Sequence, residues 1–434
     1  MSVIGTGYLG ATHAVCMTEL GHEVIGVDVD ARKIAQLAAG EVPFFEPGLP
    51  ELLRKNLDTG RLRFTTSFAE AAEAADMHFV CVGTPQGREN AADLSQVDAA
   101  VDALAPHLRR RSLVVGKSTV PTGTSARLRT RLHRTAPAGA DVELAWNPEF
   151  LREGLAVTDT LHPDRLVFGV TSEWAEERLR SAYAAIIEAG CPVVVTDYAT
   201  AELVKVAANS FLATKISFIN AMAEVCEVAH ADVTQLSEAL GYDARIGPRF
   251  LQPGLGFGGG CLPKDIRAFM ARAGELGADQ ALTFLTDVDA INKRRRSRTV
   301  DLAREVLDGS FRGARVTLLG AAFKPNSDDI RDSPALDVAA AIHRQGARVV
   351  VYDPAANDNA RRDYPDLEYA DSVDEAARDS ELVLMLTEWT EFREMDPARI
   401  GDLVARRNIV DGRNALDPVR WRAAGWTYRA LGRP

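Results

Sequence analysis

The segment SVIGTGYLGATHAVCMTELGHEVIGVD at residues 2–28 decides the fold of this chain. An apolar pair at 3–4 leads into a glycine-rich turn, an amphipathic run at 11–20 follows, and a second apolar run at 24–27 ends in Asp28. This order predicts a strand, a tight turn, a helix and a second strand that is buried on both faces, as in a parallel sheet. A doubly wound α/β domain is therefore expected over this part of the chain.

The turn itself indicates a dinucleotide site. Gly5, Gly7 and Gly10 satisfy the pattern GxGxxG. In that pattern the first glycine permits the turn, the second lets a pyrophosphate approach the backbone, and the third allows close helix packing. Asp28 ends the next predicted strand, where a carboxylate accepts hydrogen bonds from ribose hydroxyls and repels a 2′-phosphate. The segment predicts NAD rather than NADP, and the alternative is a glycine turn that holds no ligand.

Alternating strand and helix patterns continue along the chain. Further strands are predicted at 77–82, 112–117, 143–146, 166–170 and 192–196; helical spacing runs from 199 to about 298; strands return at 314–319, 349–352, 382–386 and 409–411. We therefore expect two doubly wound, Rossmann-like parallel-sheet domains joined by a central helical block, with boundaries 1–196, 197–300 and 301–434. The apolar surface of the helical block favours a homodimer or a larger homo-oligomer.

Composition argues against several kinds of partner. The 434 residues carry a net charge of −11, so general attraction to nucleic acid or to an acidic membrane is not expected. No apolar run reaches the roughly 18 residues of a membrane span. The five cysteines form no CxxC pair, so the sequence indicates neither a disulfide framework nor a metal site, and a cytoplasmic location is expected. The basic run at 293–296 is interpreted as a solvated helix end rather than a nuclear localisation signal.

The segment GFGGGCLPKD at 256–265 carries the most chemical information. Its three consecutive glycines leave backbone N–H groups unshielded and let a ligand approach closely. Pro263 fits the first turn of a helix, so Cys261 is expected just ahead of a helix N-terminus and beside Lys264. Both features favour the thiolate, which is the reactive form of cysteine. The alternative is a buried structural cysteine beside a flexible loop.

A thiolate and bound NAD in one protein suggest chemistry at the aldehyde level. Oxidation of an alcohol would give an aldehyde, attack by cysteine a thiohemiacetal, and a second oxidation a thioester that water hydrolyses. This scheme needs a base, an oxyanion partner and a positioned water. Lys205 and Asn209 lie four residues apart on one face of the predicted central helix, although such a pair taken alone is more often a solvated surface.

The second α/β pattern departs from the first at its glycine turn. Gly320 is followed by Ala322 and Lys324, without a close-approach glycine, and the candidate acid after the next strand is Asp353. A lysine in the turn suits a phosphate or a substrate group better than a second dinucleotide. This domain is interpreted as a nucleotide-binding relative that takes another ligand.

Ordered motifs extend over nearly the whole chain: GTGYLG at 5–10, EPGL at 46–49, VGTP at 82–85, KSTVPTGT at 117–124, NPEFLREG at 147–154, HPDR at 162–165, ELVKVAANSFLATKISFIN at 202–220, ARIGPRFL at 244–251, FGGGCLPKD at 257–265, GAAFKPNSDDIRDSPAL at 320–336 and DGRN at 411–414. With these motifs the sequence resembles the UDP-glucose/GDP-mannose dehydrogenases. Two positions depart from the family pattern. Gly260 stands where a serine is usual, and 325–327 stands where lysines are usual.

The resemblance implies NAD-dependent four-electron oxidation of a nucleotide sugar to a uronate through a thiohemiacetal and a thioester on Cys261. NPEFLREG followed by HPDR resembles the branch that converts UDP-glucose to UDP-glucuronate more than the branches that act on GDP-mannose or UDP-N-acetylmannosamine. GDP-mannose 6-oxidation is the alternative within the family. Outside it, a two-electron hydroxyacid-type dehydrogenase would not need Cys261, and a non-catalytic sugar-nucleotide-binding protein would be expected to have lost Lys205, Asn209 or Asp265.

Carried over by position, the resemblance implies a role for each candidate residue. The catalytic group would be the nucleophile Cys261, Asp265 to help activate the hydrolytic water, Lys205 and Asn209 to stabilise the oxyanions, and Thr119 and Glu149 to order the water, with Glu149 also a candidate base. The cofactor would contact Gly5, Gly7, Tyr8, Leu9, Gly10, Asp28, Lys33, Thr84, Thr119, Glu153, Lys264 and Arg331. The UDP-sugar would contact Glu149, Phe150, Leu151, Arg152, Lys205, Asn209, Arg245, Phe250, Gly258, Lys324 and Arg413, with Arg245 reaching into the site of a partner subunit.

Overall fold

A computed structural model describes residues 1–434, except for the side chain of Arg88. The chain divides into two compact units. The first comprises Met1–Ala208 and Arg267–Gly277, and the second comprises Asn209–Ile266 and Ala278–Pro434. The three-domain division expected from the sequence stays a prediction, because the central helices are shared between these two units.

The first unit contains an eight-stranded sheet. Its strands are β1 (Ser2–Ile4), β2 (Val24–Val27), β3 (Leu62–Thr65), β4 (Met77–Val80), β5 (Ser112–Gly116), β6 (Val142–Trp146), β7 (Leu166–Gly169) and β8 (Val193–Thr196). They lie in the order β3-β2-β1-β4-β5-β6-β7-β8. The change of direction between β1 and β4 is the position where doubly wound sheets bind ligands at the carboxyl ends of their strands.

One strand pair departs from the predicted parallel arrangement. β6 and β7 pair antiparallel, at Trp146 and Gly169, so β7 and β8 run against the other six strands. The connection between β6 and β7 contains a single helix of six residues.

Helices cover both faces of this sheet. They are α1 (Tyr8–Glu19), α2 (Ala31–Ala38), α3 (Leu49–Asp58), α4 (Phe68–Ala74), α5 (Ser95–Leu104), α6 (Thr124–Thr135), α7 (Ala156–Leu161), α8 (Glu173–Ala182) and α9 (Ala184–Glu188). Two apolar clusters form the core. Val3 belongs to the cluster with α1, α3 and α8, and Ile4 belongs to the cluster with α5 and α6. Neighbouring strand residues point to opposite faces, so both faces of β1 are buried.

The central block is helical, as predicted. It consists of α10 (Tyr198–Ala229), α11 (Val233–Gly241), α12 (Leu262–Glu275) and α13 (Phe284–Val306). The interpretation of the basic run at 293–296 as a solvated helix end is wrong: the run lies in the middle of α13, and the side chains of Arg295 and Arg296 are 0 % and 11 % exposed. Arg295 faces Glu227 of α10 at 3.6 Å, because α13 packs this side against its neighbour rather than against water.

The second unit contains a six-stranded, wholly parallel sheet. Its strands are β9 (Arg315–Leu319), β10 (Arg348–Tyr352), β11 (Glu368–Tyr369), β12 (Leu382–Met385), β13 (Asn408–Asp411) and β14 (Thr427–Ala430), in the order β11-β10-β9-β12-β13-β14. The helices after α13 are α14 (Pro334–His343), α15 (Asn357–Asp363), α16 (Val373–Ala377), α17 (Thr390–Arg393), α18 (Pro397–Gly401) and α19 (Pro418–Ala423). Two doubly wound sheets and a helical block between them in sequence confirm the predicted fold class.

Three strands were not predicted from the sequence, and all three lie at sheet edges. β3, β11 and β14 each have one neighbour in their sheet. Their burial alternates or is incomplete, whereas β2, β4 and β5 are buried along their whole length. An edge strand therefore lacks the continuous apolar run by which inner parallel strands are recognised.

Candidate active site

The glycine turn lies between β1 and α1. An added Cβ at Gly10 would lie 1.7 Å from the carbonyl oxygen of Gly5, so only glycine lets the helix approach the strand here. At Gly7 an added Cβ would meet none of the described residues within 4 Å. Gly7 is the N-cap of α1, so backbone N–H groups at the helix N-terminus adjoin open space. This arrangement fits a bound pyrophosphate.

Asp28 is held as a carboxylate at the end of β2. Its Oδ2 accepts hydrogen bonds from the Thr6 backbone N–H (2.8 Å) and from Lys33 Nζ (2.9 Å), and its Oδ1 accepts one from the Asp30 N–H (3.0 Å). Burial opposes ionisation, but Lys33 and the backbone donors hold the pKa of Asp28 below its usual range. A negative charge at this position suits the ribose of NAD and opposes a 2′-phosphate.

A buried carboxylate joins the glycine turn to the candidate substrate loop. Glu46 is 2 % exposed and accepts hydrogen bonds from the hydroxyl of Tyr8 and from the backbone N–H groups of Gly154 (2.6 Å) and Ala156 (2.7 Å). Glu46 begins the EPGL motif at 46–49, but no role was predicted for it. The signal available was an acid set within the apolar run VPFFEPGL, where an unpaired charge would be costly.

Side chains that follow β4, β5 and β6 meet at the carboxyl edge of the first sheet. Thr84 Oγ1 donates to the carbonyl of Thr119 (2.8 Å), which couples the loops after β4 and β5. Glu149, after β6, accepts hydrogen bonds through Oε1 from the N–H groups of Phe150 (2.8 Å) and Leu151 (3.0 Å). Its other oxygen, Oε2, lies 3.0 Å from the ammonium of Lys117. The structure thus brings Thr84, Thr119 and Glu149 to one edge of this sheet.

Cation–ring contacts and an ion pair hold the loop at 150–153. The Phe150 ring lies under the guanidinium of Arg165, with 3.8 Å from Cζ to the ring centroid, and 5.6 Å from Nζ of Lys205. Arg152 forms a bidentate ion pair with Asp159. Lys205, which the sequence left open as a surface residue, stands over this loop from α10. Arg165 ends the HPDR motif, but its stacking on Phe150 could not be predicted from the sequence, because the fold brings the two residues together.

In the second unit, Cys261 lies just ahead of α12 and is exposed. Its carbonyl accepts the N–H of Asp265 (2.8 Å), the first hydrogen bond of that helix. The thiol therefore sits at a helix N-terminus, whose partial positive charge favours the thiolate. This placement matches the expectation from Pro263, and the alternative of a buried structural cysteine is wrong.

Asp265 contacts two other predicted site residues, Asn209 and Lys264. It is 1 % exposed, accepts a hydrogen bond through Oδ2 from Asn209 Nδ2 (2.6 Å), and pairs through Oδ1 with Lys264 Nζ (2.6 Å). Lys264 was expected to favour the thiolate and to contact the cofactor. In the structure its ammonium forms an ion pair with Asp265.

Two buried asparagines hold the glycine segment before Cys261. Asn292 accepts the N–H of Phe257 (2.8 Å) and donates to its carbonyl (2.9 Å), and Asn220 accepts the N–H of Gly254 (2.8 Å). An added Cβ at Gly260 would lie 2.3 Å from Cζ of Arg331. Glycine in place of the usual serine therefore lets Arg331 lie against the loop. Asn220 and Asn292 were not predicted, because a lone asparagine in a helix gives no signal.

The carboxyl edge of the second sheet also places a buried carboxylate against its turn. Asp353 is 2 % exposed and accepts the N–H groups of Ala321 (2.8 Å) and Ala322 (3.0 Å), so its carboxylate faces the turn. Arg413 donates through Nε to the carbonyl of Leu386 (2.7 Å) and through Nη1 to that of Gly256 (2.9 Å). Arg413, a predicted UDP contact, thus ties these loops together.

Three further predicted residues lie on loops of the second unit, and Leu9 lies on α1 in the first. Arg245 follows α11, is 90 % exposed and pairs with Asp243. Phe250 is half-buried, and Lys324 follows the turn after β9 with Nζ 5.4 Å from the Phe323 ring. Among the described residues, no cluster of metal-ligating side chains occurs. No helix in the same set is long and apolar enough to cross a membrane.

Family models match three successive parts of the chain. They are the NAD binding domain of the UDP-glucose/GDP-mannose dehydrogenase family at 1–187, the central domain of that family at 199–294 and its UDP binding domain at 317–418. Together they cover most of the sequence and place the glycine turn, Cys261 and Lys324 in the first, second and third model respectively.

Full-length relatives agree with these models. The chain is 40% identical to UDP-glucose 6-dehydrogenases of Bacillus subtilis, over 100% of this chain and 97% of the relative, and of Pseudomonas aeruginosa, with the same coverage. The solved UDP-glucose dehydrogenase of Pyrobaculum islandicum superposes with a TM-score of 0.92 at 39% identity, covering 100% and 97% of the two chains. The solved UDP-D-ManNAc dehydrogenase of Pyrococcus horikoshii superposes with a TM-score of 0.87 at 26% identity, covering 100% of this chain and 99% of the other.

Proposed function

Because the chain belongs to the UDP-glucose/GDP-mannose dehydrogenase family, we propose that it oxidises UDP-glucose to UDP-glucuronate with two molecules of NAD. The observation that carries this proposal is the exposed thiol of Cys261 at the start of α12, one helical turn from the buried Asn209–Asp265 pair. A two-electron dehydrogenase needs no such thiol. The choice of UDP-glucose is supported by 40% identity to enzymes named for that substrate, against 26% to the UDP-D-ManNAc enzyme.

The first half of the reaction forms an aldehyde and captures it. NAD, bound at the glycine turn, supplies the hydride acceptor for both oxidations. The thiolate of Cys261 attacks the aldehyde carbon, which forms the C–S bond of a thiohemiacetal. Lys205 and Asn209, one turn apart on α10, stabilise the negative charge on the former carbonyl oxygen. The Asn209 amide has two N–H groups, and Asp265 occupies one of them.

The second half releases the acid. Oxidation of the thiohemiacetal gives a thioester on Cys261, and a water molecule then attacks its carbonyl carbon. Thr119 and Glu149 order this water, and Asp265 helps to remove its proton. The C–S bond breaks, the thiolate is restored, and the sugar leaves as a carboxylate. One water is consumed for every two NADH formed.

The purified chain is expected to form two NADH per UDP-glucose consumed, because the thioester route passes through both oxidations before product leaves. The measurement is NADH absorbance against limiting sugar, with UDP-glucuronate identified by mass spectrometry. GDP-mannose and UDP-N-acetylmannosamine are assayed in parallel as matched substrates. A ratio of one NADH per sugar would contradict the thioester route, and faster turnover of GDP-mannose would contradict the choice of substrate.

The chain is further proposed to act as a homodimer or larger homo-oligomer. Phe211, Phe218 and Val225 recur every seven residues along α10 and are 67%, 48% and 54% exposed. A stripe with this spacing is the pattern by which two helices pack along one seam. The five free cysteines agree with the expected cytoplasmic location, since disulfides are rare in that compartment.

Phe218→Glu is expected to weaken self-association by about a hundredfold, because a symmetric interface would bury the introduced charge twice. Sedimentation velocity over a range of protein concentrations measures the effect. Val419→Glu, which replaces a 74% exposed apolar residue on α19, is the control and should leave the mass unchanged. A monomeric parent protein would remove the proposal.

A further inference from the structure

A buried lysine lies beneath the active-site edge of the first sheet. Lys117 follows β5, and its side chain is 4 % exposed. Its ammonium lies 3.0 Å from Glu149 Oε2, donates to Asn147 Oδ1 at 3.0 Å and lies 3.4 Å from the Tyr183 hydroxyl. The mechanism proposed above gives Lys117 no task. Burying an ammonium costs free energy even when it is paired, so we expect Lys117 to have a function that offsets this cost.

The charge state of this pair follows from its contacts. Burial opposes ionisation of Lys117, but Glu149, together with Tyr183 and Cys81, raises the pKa of the ammonium above its usual range. Burial likewise opposes ionisation of Glu149, but the pairing with Lys117 and the Phe150 N–H hold the pKa of the carboxyl below its usual range. Lys205 adds a smaller coulombic effect in the same direction. The pair is therefore an ion pair at neutral pH.

The contacts of Glu149 occupy most of the acceptor sites on its carboxylate. A carboxylate has about four acceptor sites. Three are taken, by Lys117 on Oε2 and by the N–H groups of Phe150 and Leu151 on Oε1. The remaining site is the one through which Glu149 can order a water. Without Lys117, Lys205 would be the other cation acting on this carboxylate.

We propose that Lys117 is a positioning residue that pairs with Glu149 from the buried side, orients it toward the hydrolytic water and leaves Lys205 available to the oxyanion. This rests on the proposed function, since it assigns Glu149 and Lys205 the tasks given there. Lys117 itself touches neither substrate nor cofactor in this scheme. Its effect passes through Glu149.

Other titratable groups surround the pair and enter any pH dependence. Burial raises the pKa of Tyr183 to about 12 and that of Cys81 to about 12, so both stay neutral in the working range. Burial also lowers the pKa of His13, so that ring is uncharged. The groups that act on Glu149 or Lys117 are Cys16 and His13 from α1, Cys81 after β4, Tyr183 before α9 and Lys205 on α10.

The pH profile of Lys117→Met tests the proposal. Glu149 must be ionised to act, and its folded-state pKa is depressed, so activity is present above that pKa and is lost as the pH falls through it. Removing Lys117 raises that pKa, so the acid limb of kcat should move upward by about one pH unit or more. We expect kcat to fall about tenfold or more with little change in KM for UDP-glucose. Lys117→Arg should restore part of kcat and return the acid limb toward that of the parent.

Two comparisons separate this role from a structural one. Lys117→Met in a Glu149→Gln background should cause no further loss in kcat, because the residue through which Lys117 acts is already neutral. Arg111→Met is the control. It removes the ion pair between Arg111 and Glu143, which lie 2.9 Å apart at the amino ends of β5 and β6, away from Lys117 and Glu149. This variant should leave the pH profile unchanged. Both charges of the buried pair are absent from the double variant, so it stays informative if Lys117→Met alone folds poorly.

An unmoved acid limb in folded Lys117→Met, or a further tenfold loss in the Glu149→Gln background, overturns the proposal. Neither result touches the proposed function, which stands or falls on the NADH yield of the parent protein. Conversely, one NADH per UDP-glucose from the parent would remove the hydrolytic step in which Lys117 is given its role.

Discussion

Cys261→Ala is expected to lower uronate formation by about a thousandfold or more while NAD binding stays unchanged. The thiol is the atom that holds the aldehyde carbon, so without it the second oxidation has no thiohemiacetal to act on. The glycine turn and Asp28 lie in the first unit and do not include Cys261, so the cofactor site is preserved. NADH production, uronate yield and NAD affinity are measured on the same preparation.

Cys191→Ala is the matched control for this experiment. Cys191 is another free cysteine, half-buried in the first unit with Sγ 3.2 Å from the carbonyl of Pro163. Its removal should leave turnover unchanged. Uronate formation by Cys261→Ala at the parent rate would take the cysteine out of the mechanism, and the exposed thiol at the start of α12 would need another explanation.

Asp265→Asn is expected to stall the enzyme after both oxidations. The carboxylate that helps to deprotonate the water is lost, and the ion pair with Lys264 is lost with it. Loss of a proton-transfer group lowers a rate by about 10² to 10⁴ fold. A burst of two NADH per active site should therefore precede slow turnover, and the acyl group on Cys261 should be detected by intact-protein mass spectrometry after an acid quench.

The surface variant Asp301→Asn provides the control. Asp301 pairs with Arg304 on α13 at 2.7 Å, with 53% of its side chain exposed, so its loss is expected to cost about 0.5 kcal/mol of stability or less. It should show parent turnover and no trapped acyl group. Asp265→Asn turning over at the parent rate would show that the buried carboxylate is not part of hydrolysis.

The sequence was most informative where one residue type satisfies a local physical demand. Gly10 had to be glycine for α1 to approach the turn, and the buried inner strand β2 is apolar along its whole length. Both patterns are local, so both could be read before the structure. The position of Cys261 at a helix N-terminus was predicted for the same reason, from Pro263 and the helical pattern that follows it.

The partners of these residues could not be predicted in the same way. Lys117 and Glu149 are separated by 32 residues and meet because β5 and β6 are neighbours in the sheet. Asn292 binds Phe257 because α13 lies beside the glycine segment. Such contacts depend on strand order and helix packing, which a single sequence does not specify. Arg295 was wrongly predicted for the same reason: its charge indicated an exposed side chain, but the packing of α13 against α10 buries it.

The carboxylate of Glu46 has a consequence for ligand binding. It joins Tyr8, in the turn proposed to hold the cofactor, to Gly154, at the end of the loop proposed to hold the sugar. A ligand that orders one of these segments also restricts the other. The second ligand therefore binds with a smaller loss of conformational entropy. Thermodynamic linkage then makes the effect mutual: the factor by which cofactor tightens sugar binding equals the factor by which sugar tightens cofactor binding.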